Sequence, residues 1–306
     1  MITLKLVVGD WGREGSLNQV NVANAMGKYC QQHGPCHFVV STGDNMYNFG
    51  VRDENDELFT KSFERVYNHT GLEGIRWYMS LGNHDYRQNP EAQIKYTKYS
   101  KRWYMPSYYY GESFVLDTDN VLRSTSRGLD DEDITDRDVQ VGLKLIITDT
   151  SPLIEYYKTD EKMNQTAIAR SNLQHQKNFI EEELSKAYED EWKIIVGHHP
   201  FYSGGPHGDN KQVEEAFSDM YSEYKVHLSL SGHDHDYQRL VNPNHPTTFV
   251  VNGAGSKMDE QVTNHAYQKE IHTDPGFNVV RLNDNVMHVS FVGVDGNVIS
   301  QFEINK

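Results

Sequence analysis

Five apolar segments of strand length in this chain each lead into a glycine and then into a polar side chain that can bind a metal ion. After the first of them, apolar residues recur at helical spacing from Leu17 to Cys30, and the next segment follows this stretch. Alternating strands and helices predict a sheet with βαβ crossovers, in which ligands bind beyond the carboxyl ends of the strands. The sequence therefore predicts an α/β fold with a polar site at the strand ends. The five predicted strands are Ile2–Val8, Phe38–Thr42, Trp77–Leu81, Trp192–Val196 and Val226–Leu230.

The rest of the apolar pattern predicts further helices and a strand-rich second half. Helices are expected at Leu58–Tyr67, Pro90–Trp103, Thr166–Ala187 and Asn210–Tyr224, and strands at Ser113–Asp117, Leu143–Thr148, Thr248–Val251, Phe277–Leu282, Val286–Val294 and Val298–Ile304. No linker, repeat or low-complexity tract divides the chain, so residues 1–306 are predicted to form a single domain. Thr118–Gln140 is too acidic for a core. We expect a solvated, mobile surface insertion there, with a calcium-binding loop as the alternative.

The polar residues that follow the five strands form a chemically consistent donor set. They are Asp10, then Asp44 with Tyr47, then Asn83 with His84, then His198, then His233 with His235. Each fragment alone is typical of a turn, a helix cap or a surface histidine pair, but five in order favour a shared site. Carboxylate, phenolate, amide and imidazole donors without thiolates suit iron, manganese or zinc. One carboxylate can bridge two ions ~3.5–4 Å apart, and a phenol with a pKa of ~10 needs a strongly Lewis-acidic ion, most naturally Fe(III).

The five blocks resemble the signature of the purple acid phosphatases, and most closely that of their small, single-domain, tartrate-resistant type. They are Gly9-Asp10-Trp11-Gly12, Gly43-Asp44-Asn45-Met46-Tyr47, Gly82-Asn83-His84-Asp85, Ile195-Val196-Gly197-His198 and Gly232-His233-Asp234-His235. Other metallophosphoesterases have a histidine at the position of Gly12 and lack a phenol at that of Tyr47. Two positions depart from the family pattern: Ile195 replaces a valine, and His199 replaces a residue that is commonly aromatic. We do not expect His199 to be a ligand, because adjacent residues seldom reach one ion.

The resemblance implies a role for each residue of the set. Asp10, Tyr47 and His235 would bind Fe(III), Asp44 would bridge two ions, and Asn83, His198 and His233 would bind a second, divalent ion, which is iron, zinc or manganese. Asn83, His84 and His207 would bind the substrate. His207 lies nine residues after His198, which is the family's spacing for a second substrate histidine. One of the two catalytic histidines, His84 or His207, would protonate the leaving group.

The same resemblance implies a four-layer αββα sandwich of the calcineurin-like metallophosphoesterase type, with two mixed β-sheets flanked by helices. It also implies an acid phosphatase that hydrolyses phosphate monoesters by in-line attack of a metal-bound hydroxide at a dinuclear Fe(III)–M(II) centre. Two alternatives stay open. One is a non-catalytic scaffold, because this fold also occurs in a phosphatase-like glideosome-associated protein that anchors a membrane complex. The other is a phosphodiesterase or nucleotide hydrolase on the same centre.

The charge of the chain limits its partners. Its 44 acidic and 29 basic residues give a net charge of −15, which repels polyanions, so we expect neither nucleic acid nor an anionic membrane as a partner. The expected partners are phosphorylated small molecules or phosphoproteins, and the sequence leaves the oligomeric state unknown. No apolar segment approaches the ~20 residues that a membrane span requires.

The compartment follows only from the resemblance, which implies the secretory pathway, a lysosome or vacuole, or the extracellular space. The segment Met1–Lys5 lacks the pattern of a signal peptide. We therefore expect either a protein that is not secreted or one whose leader has been removed. Cys30 and Cys36 flank a short loop and form either a disulfide or two free thiols. Asn68 and Asn164 begin N-glycosylation triplets, which matter only in a secretory protein.

Overall fold

The computed structural model describes residues 3–117, 122–124, 139–259 and 261–306. Most of the predicted acidic insertion Thr118–Gln140 lies outside these residues, so both interpretations of it stay predictions. The described strands are β1 (Thr3–Val8), β2 (Phe38–Ser41), β3 (Arg76–Met79), β4 (Trp103–Tyr104), β5 (Tyr110–Asp117), β6 (Leu122–Ser124), β7 (Val139–Ile147), β8 (Trp192–Val196), β9 (Leu228–Ser231), β10 (Tyr237–Val241), β11 (Thr248–Asn252), β12 (Gln268–His272), β13 (Gly276–Leu282), β14 (Val286–Gly293) and β15 (Val298–Asn305). The described α-helices are α1 (Gln19–His33), α2 (Pro90–Tyr96), α3 (Gln165–Arg170), α4 (Leu173–Ser185) and α5 (Lys211–Glu223).

The strands form two mixed sheets. The first contains seven described strands in the order β15-β14-β13-β1-β2-β3-β4, and the second contains eight in the order β12-β10-β11-β9-β8-β7-β5-β6. β1 to β4 are mutually parallel, and so are β7, β8, β9 and β11. In sheets of this kind, the carboxyl ends of the parallel strands are where ligands bind. The topology therefore places the predicted site at this edge.

The two sheets pack against each other through one large apolar cluster. Phe38 of β2 stacks on Phe114 of β5 with ring centroids 4.8 Å apart, and Tyr237 of β10 stacks on Phe291 of β14 at 4.3 Å. A second cluster joins the other face of β8, at Ile195, to α4 and α5. The centre of the second sheet is thus buried on both faces, which explains the unbroken apolar run Ile194–Val196 in β8. With α1 packed against β13, these layers confirm the predicted sandwich of two mixed sheets flanked by helices.

The predicted helix Thr166–Ala187 is wrong as a single element, because it is divided into α3 and α4. Each of the two begins at its own asparagine cap. The side chain of Asn164 accepts a hydrogen bond from the N–H of Ala167, and that of Asn172 accepts one from the N–H of His175. An asparagine cap stabilises a helix start by ~1 kcal/mol relative to alanine, so a second cap inside an amphipathic stretch favours a new helix.

Other boundaries also differ from the predictions. The helix predicted at Pro90–Trp103 is shorter than expected, because α2 ends at Tyr96 and Trp103 belongs to β4. Leu58–Tyr67 contains a short π-helical segment rather than an α-helix. The apolar pattern does not predict β10 and β12, because polar side chains interrupt it in both strands. Arg239 of β10, for example, pairs with Glu270 of β12 at 3.2 Å.

Cys30 and Cys36, whose pairing the sequence leaves open, form a disulfide with Cα atoms 5.4 Å apart. The bond ties the end of α1 to the segment that enters β2. Within the described ranges, no helix combines the length and the apolar character needed to cross a bilayer.

Candidate metal centre

The candidate ligands follow β1, β2, β3, β8 and β9. Three of them have a positive φ, which is uncommon outside glycine: Asp10 at 59°, Asp44 at 53° and His233 at 74°. The left-handed conformation costs an L-residue ~1–2 kcal/mol. Residues in such conformations cluster at functional sites, where the surrounding structure holds them. Three at neighbouring strand ends therefore indicate a site that the fold maintains at some cost in stability.

Two glycines let these strand ends approach each other closely. A Cβ atom on Gly82 would lie 2.2 Å from Oδ1 of Asp44, and one on Gly232 would lie 2.3 Å from Oδ2 of Asp10. Neither glycine has a positive φ, so space rather than an unusual backbone angle requires glycine here. The two carboxylates are thereby held against the loops that follow β3 and β9.

Asp10, Tyr47 and His235 converge on one point. The hydroxyl of Tyr47 donates to Oδ1 of Asp10 at 2.9 Å and lies 3.1 Å from Nε2 of His235. That nitrogen lies 3.5 Å from the same oxygen of Asp10. The N–H of His233 donates to the other oxygen of Asp10, Oδ2, at 3.0 Å. Donor atoms at these separations suit one ion bound at ~2.0–2.2 Å from each, so these three side chains can bind one ion together.

Asn83, His198 and Asp44 form a second group beside the first. Nε2 of His198 lies 3.1 Å from Oδ1 of Asn83 and 3.6 Å from Oδ1 of Asp44. Nδ1 of His198 lies 2.9 Å from the carbonyl oxygen of Thr42. A carbonyl only accepts, so Nδ1 carries the proton and Nε2 presents its lone pair to the group. Donor atoms of Asp10, Asp44 and His198 all lie within 4.8 Å of one another, which puts Asp44 between the two groups, where a bridging carboxylate is expected.

His233 approaches the second group from the side of His198. The two ring centroids are 5.1 Å apart, and the ring of His199 lies 4.5 Å from that of His233. One nitrogen of each of these three histidines lies within 4.8 Å of the others. Both nitrogens of His199 have protein partners, however: Thr150 Oγ1 at 2.8 Å and Tyr157 Oη at 3.2 Å. These contacts support the expectation that His199 is not a ligand.

His84 and His207 line an open cavity of about 680 Å³ above the two groups. Nδ1 of His84 lies 2.7 Å from the carbonyl oxygen of Asn48. Nδ1 of His207 lies 2.7 Å from Oδ1 of Asp234, and its ring lies 4.1 Å from that of His233. The structure therefore places all nine residues of the predicted site in one region, with these two histidines nearest to solvent.

The two cavity histidines differ in their preference for a proton. The hydrogen bond from His207 to Asp234 raises the pKa of His207 above its ordinary value. Burial lowers the pKa of His84, against the opposing charge of Asp44. At mildly acidic pH, His207 is therefore the histidine that stays protonated.

Two buried carboxylates at this depth need compensating positive charge. Asp10 is 0% exposed and Asp44 is 1% exposed. In the part of the chain that the structure describes, both form ion pairs with histidines alone, and an uncompensated buried charge is strongly destabilising. Burial and these two charges also raise the pKa of the Tyr47 phenol well above its ordinary value, which a bound Lewis-acidic cation would reverse. The donor set thus fits bound metal cations.

Some carboxylates that hold the ligands in place were not singled out from the sequence. Asp85 accepts hydrogen bonds from the N–H groups of Gly82 at 2.8 Å and Asn45 at 3.1 Å, so it ties the loop after β3 to the loop after β2. Asp234 holds His207 in the cavity wall. Both residues lie inside the five motif blocks, next to candidate ligands. This position in the sequence could have indicated that they support the site.

Known proteins resemble this chain over nearly its full length. The model of the family described as calcineurin-like phosphoesterase matches residues 5–237. Purple acid phosphatase 17 of Arabidopsis thaliana is 32% identical over 98% of this chain and 84% of its own length. Tartrate-resistant acid phosphatase type 5 of Rattus norvegicus is 29% identical over 96% of this chain and 88% of its own length. Among solved structures, that of GAP50, the anchor in the inner membrane complex of Plasmodium, has a TM-score of 0.80 at 21% identity, covering 99% of this chain and 89% of that one.

Proposed function

The chain belongs to the purple acid phosphatases of the calcineurin-like phosphoesterase family, and we propose from this premise that it hydrolyses phosphate monoesters at a dinuclear metal centre. The observation that carries the proposal is the convergence of two donor groups around one buried carboxylate. Donor atoms of Asp10, Asp44 and His198 lie within 4.8 Å of one another. A carboxylate between two such groups is the arrangement that two-metal hydrolysis requires.

We propose one ion for each group of donors. Asp10, Tyr47 and His235 would hold Fe(III), Asp44 would bridge, and Asn83, His198 and His233 would hold a divalent iron, zinc or manganese ion. When bound, such a pair of ions acidifies a water molecule and neutralises charge on the phosphoryl group. The hard and borderline donors of both groups suit these metals.

The chain's own residues would then bind the substrate and move a proton. We assign proton donation to His207, because its raised pKa keeps it protonated at mildly acidic pH and it lines the cavity. Neutral His84 carries its proton on Nδ1, which faces the carbonyl oxygen of Asn48. Its Nε2 must therefore gain a proton before it can donate to a phosphate oxygen. Both histidines predict an acidic optimum.

The cavity supports phosphorylated small molecules or phosphoproteins as partners. Four basic side chains line it: Arg13, Arg87, Lys162 and Lys257. They would attract an anionic phosphate group although the whole chain carries a net charge of −15. The cavity is open to solvent, so the phosphate of a small molecule and that of a protein side chain are both expected to reach it.

We propose the secretory pathway, a lysosome or vacuole, or the extracellular space as the compartment. The disulfide between Cys30 and Cys36 supports this proposal, because such bonds form and persist mainly in oxidising compartments. A mechanism that needs protonated histidines also suits an acidic environment.

A non-catalytic scaffold is the second candidate, because GAP50 shares the fold. At 21% identity, that likeness bears on the fold alone. The complete donor set favours catalysis, since the buried charges of Asp10 and Asp44 would have no use in a scaffold and would destabilise it without a cation.

Hydrolysis of an aryl phosphate monoester by the purified, metal-loaded protein tests the proposal. Asp44→Asn should lower kcat/KM by at least ~100-fold. Even the loss of a group that only supports a metal ligand lowers metal affinity or activity by ~10–100-fold. Asp160→Asn is the matched control, since Asp160 lines the same cavity but bonds to the N–H of Lys162 rather than to a candidate ligand. A metal-loaded protein without turnover would contradict the proposal and favour the scaffold. Faster hydrolysis of the corresponding diester would favour a phosphodiesterase.

A further inference from the structure

Arg13 lies over the ring of Tyr47. Its guanidinium carbon is 3.5 Å from the centroid of the phenol ring. A guanidinium at this distance from an aromatic face makes a cation–π contact, which arginine forms well because it is planar and weakly hydrated. No sequence pattern had singled out Arg13, although it follows the first block directly.

The position of Arg13 is fixed by a chain of hydrogen bonds. Its Nε donates to Oγ of Ser256 at 3.0 Å. The hydroxyl of Ser256 in turn donates to the carbonyl oxygen of Asp10. Arg13 is thus anchored to the backbone of Asp10, whose carboxylate accepts the hydrogen bond from Tyr47. The arginine, the phenol and the carboxylate form one connected unit.

We propose that Arg13 is a positioning residue that tunes Tyr47 as an Fe(III) ligand through the face of its ring. This inference rests on the proposed function, because it needs Fe(III) at the phenol oxygen. A cation over the ring stabilises the filled π orbitals from which a phenolate donates charge. Charge transfer from Tyr47 to Fe(III) then requires more energy. The same positive charge would also make the reduced ion, Fe(II), easier to form. It acts more strongly on the ring than on the ion, because the guanidinium stacks on the ring itself and Coulomb energy falls with distance, so the effect on the phenolate sets the direction of the band shift.

The visible spectrum of the iron-loaded protein measures this effect without relying on turnover. Arg13→Met removes the charge and keeps an extended side chain. Its phenolate-to-iron band should move to longer wavelength than in the wild type, and its Fe(III)/Fe(II) reduction potential should fall. Arg13→Lys keeps a charge but not the planar stack. Its band and its reduction potential should therefore lie between those of the wild type and those of Arg13→Met.

Two further variants control for other effects. Lys162→Met removes a positive charge from the same cavity, where Lys162 is exposed, and should leave the band in place. Ser256→Ala keeps the charge of Arg13 but removes the partner of its Nε, and should shift the band in the same direction as Arg13→Met. If Arg13→Met does not retain iron, the wavelength of the band in Ser256→Ala tests the role of Arg13 instead.

A band at the wild-type wavelength in iron-replete Arg13→Met, or in Ser256→Ala in its place, overturns the inference. Failure of the proposed function gives a different result. A wild-type protein without a visible band after iron loading, or a band that survives Tyr47→Phe, contradicts the Fe(III)–phenolate centre itself. A band that is lost in Tyr47→Phe but unmoved in Arg13→Met contradicts only the role of Arg13.

Discussion

The hydroxyl of Tyr47 lies 2.9 Å from Oδ1 of Asp10, although the two residues are 37 positions apart in sequence. The parallel pairing of β1 with β2 brings them together, because Val8 and Ser41 are paired in register at the carboxyl ends of these strands. A backbone hydrogen bond from the N–H of Asp10 to the carbonyl of Gly43, 3.0 Å long, continues the pairing into both loops. The sheet thus delivers a carboxylate and a phenol to one point.

Asp234→Asn should move the pH dependence of hydrolysis. The carboxylate of Asp234 raises the pKa of His207 by accepting its hydrogen bond, and the protonated form of His207 is the proposed acid. Without this charge the pKa of His207 falls, so kcat should begin to decline at a lower pH as the pH is raised. A series of pH–rate profiles for both proteins measures the shift.

His207→Ala provides the companion test. It should lower kcat strongly for alkyl phosphates, whose leaving group needs a proton, and much less for aryl phosphates with acidic leaving groups. An equal loss for both substrate types, together with an unshifted profile in Asp234→Asn, would show that His207 is not the acid.

Gly232→Ala should weaken metal binding. A Cβ atom at this position would lie 2.3 Å from Oδ2 of Asp10, so the carboxylate or the loop must move, at a cost of ~1–3 kcal/mol. We expect lower metal content per chain and lower kcat/KM. Ser231→Ala is the control, because it removes only the hydrogen bond to the carbonyl of Val250. Full metal content and activity in Gly232→Ala would show that the loop tolerates the extra atom.

The shared location of the candidate ligands could be predicted because the signal for it is local. An apolar run, a glycine and a polar residue all lie within about ten residues, and the topology of parallel strands places such ends along one edge. The residues that hold the ligands depend on contacts between distant segments instead. Nothing near Arg13 in the sequence indicates that it lies over Tyr47 or bonds to Ser256.

The prediction of helix boundaries was wrong for a different physical reason. The amphipathic pattern continues through the end of α3 into α4, so periodicity alone predicts one helix. The break depends on the cap at Asn172. Such a cap stabilises the start of a new helix by only ~1 kcal/mol. The positive φ of Asp10 and His233 could not be predicted either, because tertiary contacts hold these residues in an intrinsically unfavourable conformation.

Stability should depend on pH through Asp149. This carboxyl is buried and accepts a hydrogen bond from Tyr86, and burial raises its pKa to about 7. The pKa of this carboxyl in the folded state exceeds the unfolded value of ~3.9. At a pH between these two pKa values, the folded state therefore binds more protons than the unfolded state. The unfolding free energy should therefore fall as the pH rises from ~4 to ~7, by at most roughly 4 kcal/mol.

Asp149→Asn isolates this contribution. Urea unfolding of both proteins over that pH range, at one metal concentration, gives the difference in unfolding free energy. The wild type should lose stability relative to the variant as the pH rises. A constant difference, or one that changes in the opposite direction, would show that the carboxyl titrates normally.

Reduction of the disulfide between Cys30 and Cys36 should lower the unfolding free energy by about 2 kcal/mol, as expected for a cross-link that closes a loop this short. Urea unfolding with and without a reductant measures the change, and Cys30→Ser with Cys36→Ser serves as the control that no longer responds. Two reactive thiols in the protein purified without reductant would contradict the disulfide.

Metal analysis of the purified protein, combined with its visible spectrum, tests the central claim most directly. We predict two metal ions per chain, at least one of them iron, and a charge-transfer band that disappears in Tyr47→Phe while the fold is retained. Asp10 and His235 would still face the altered position, so loss of the band would report on the phenolate itself. A colourless, zinc-only or metal-free protein with no phosphatase activity would contradict the account.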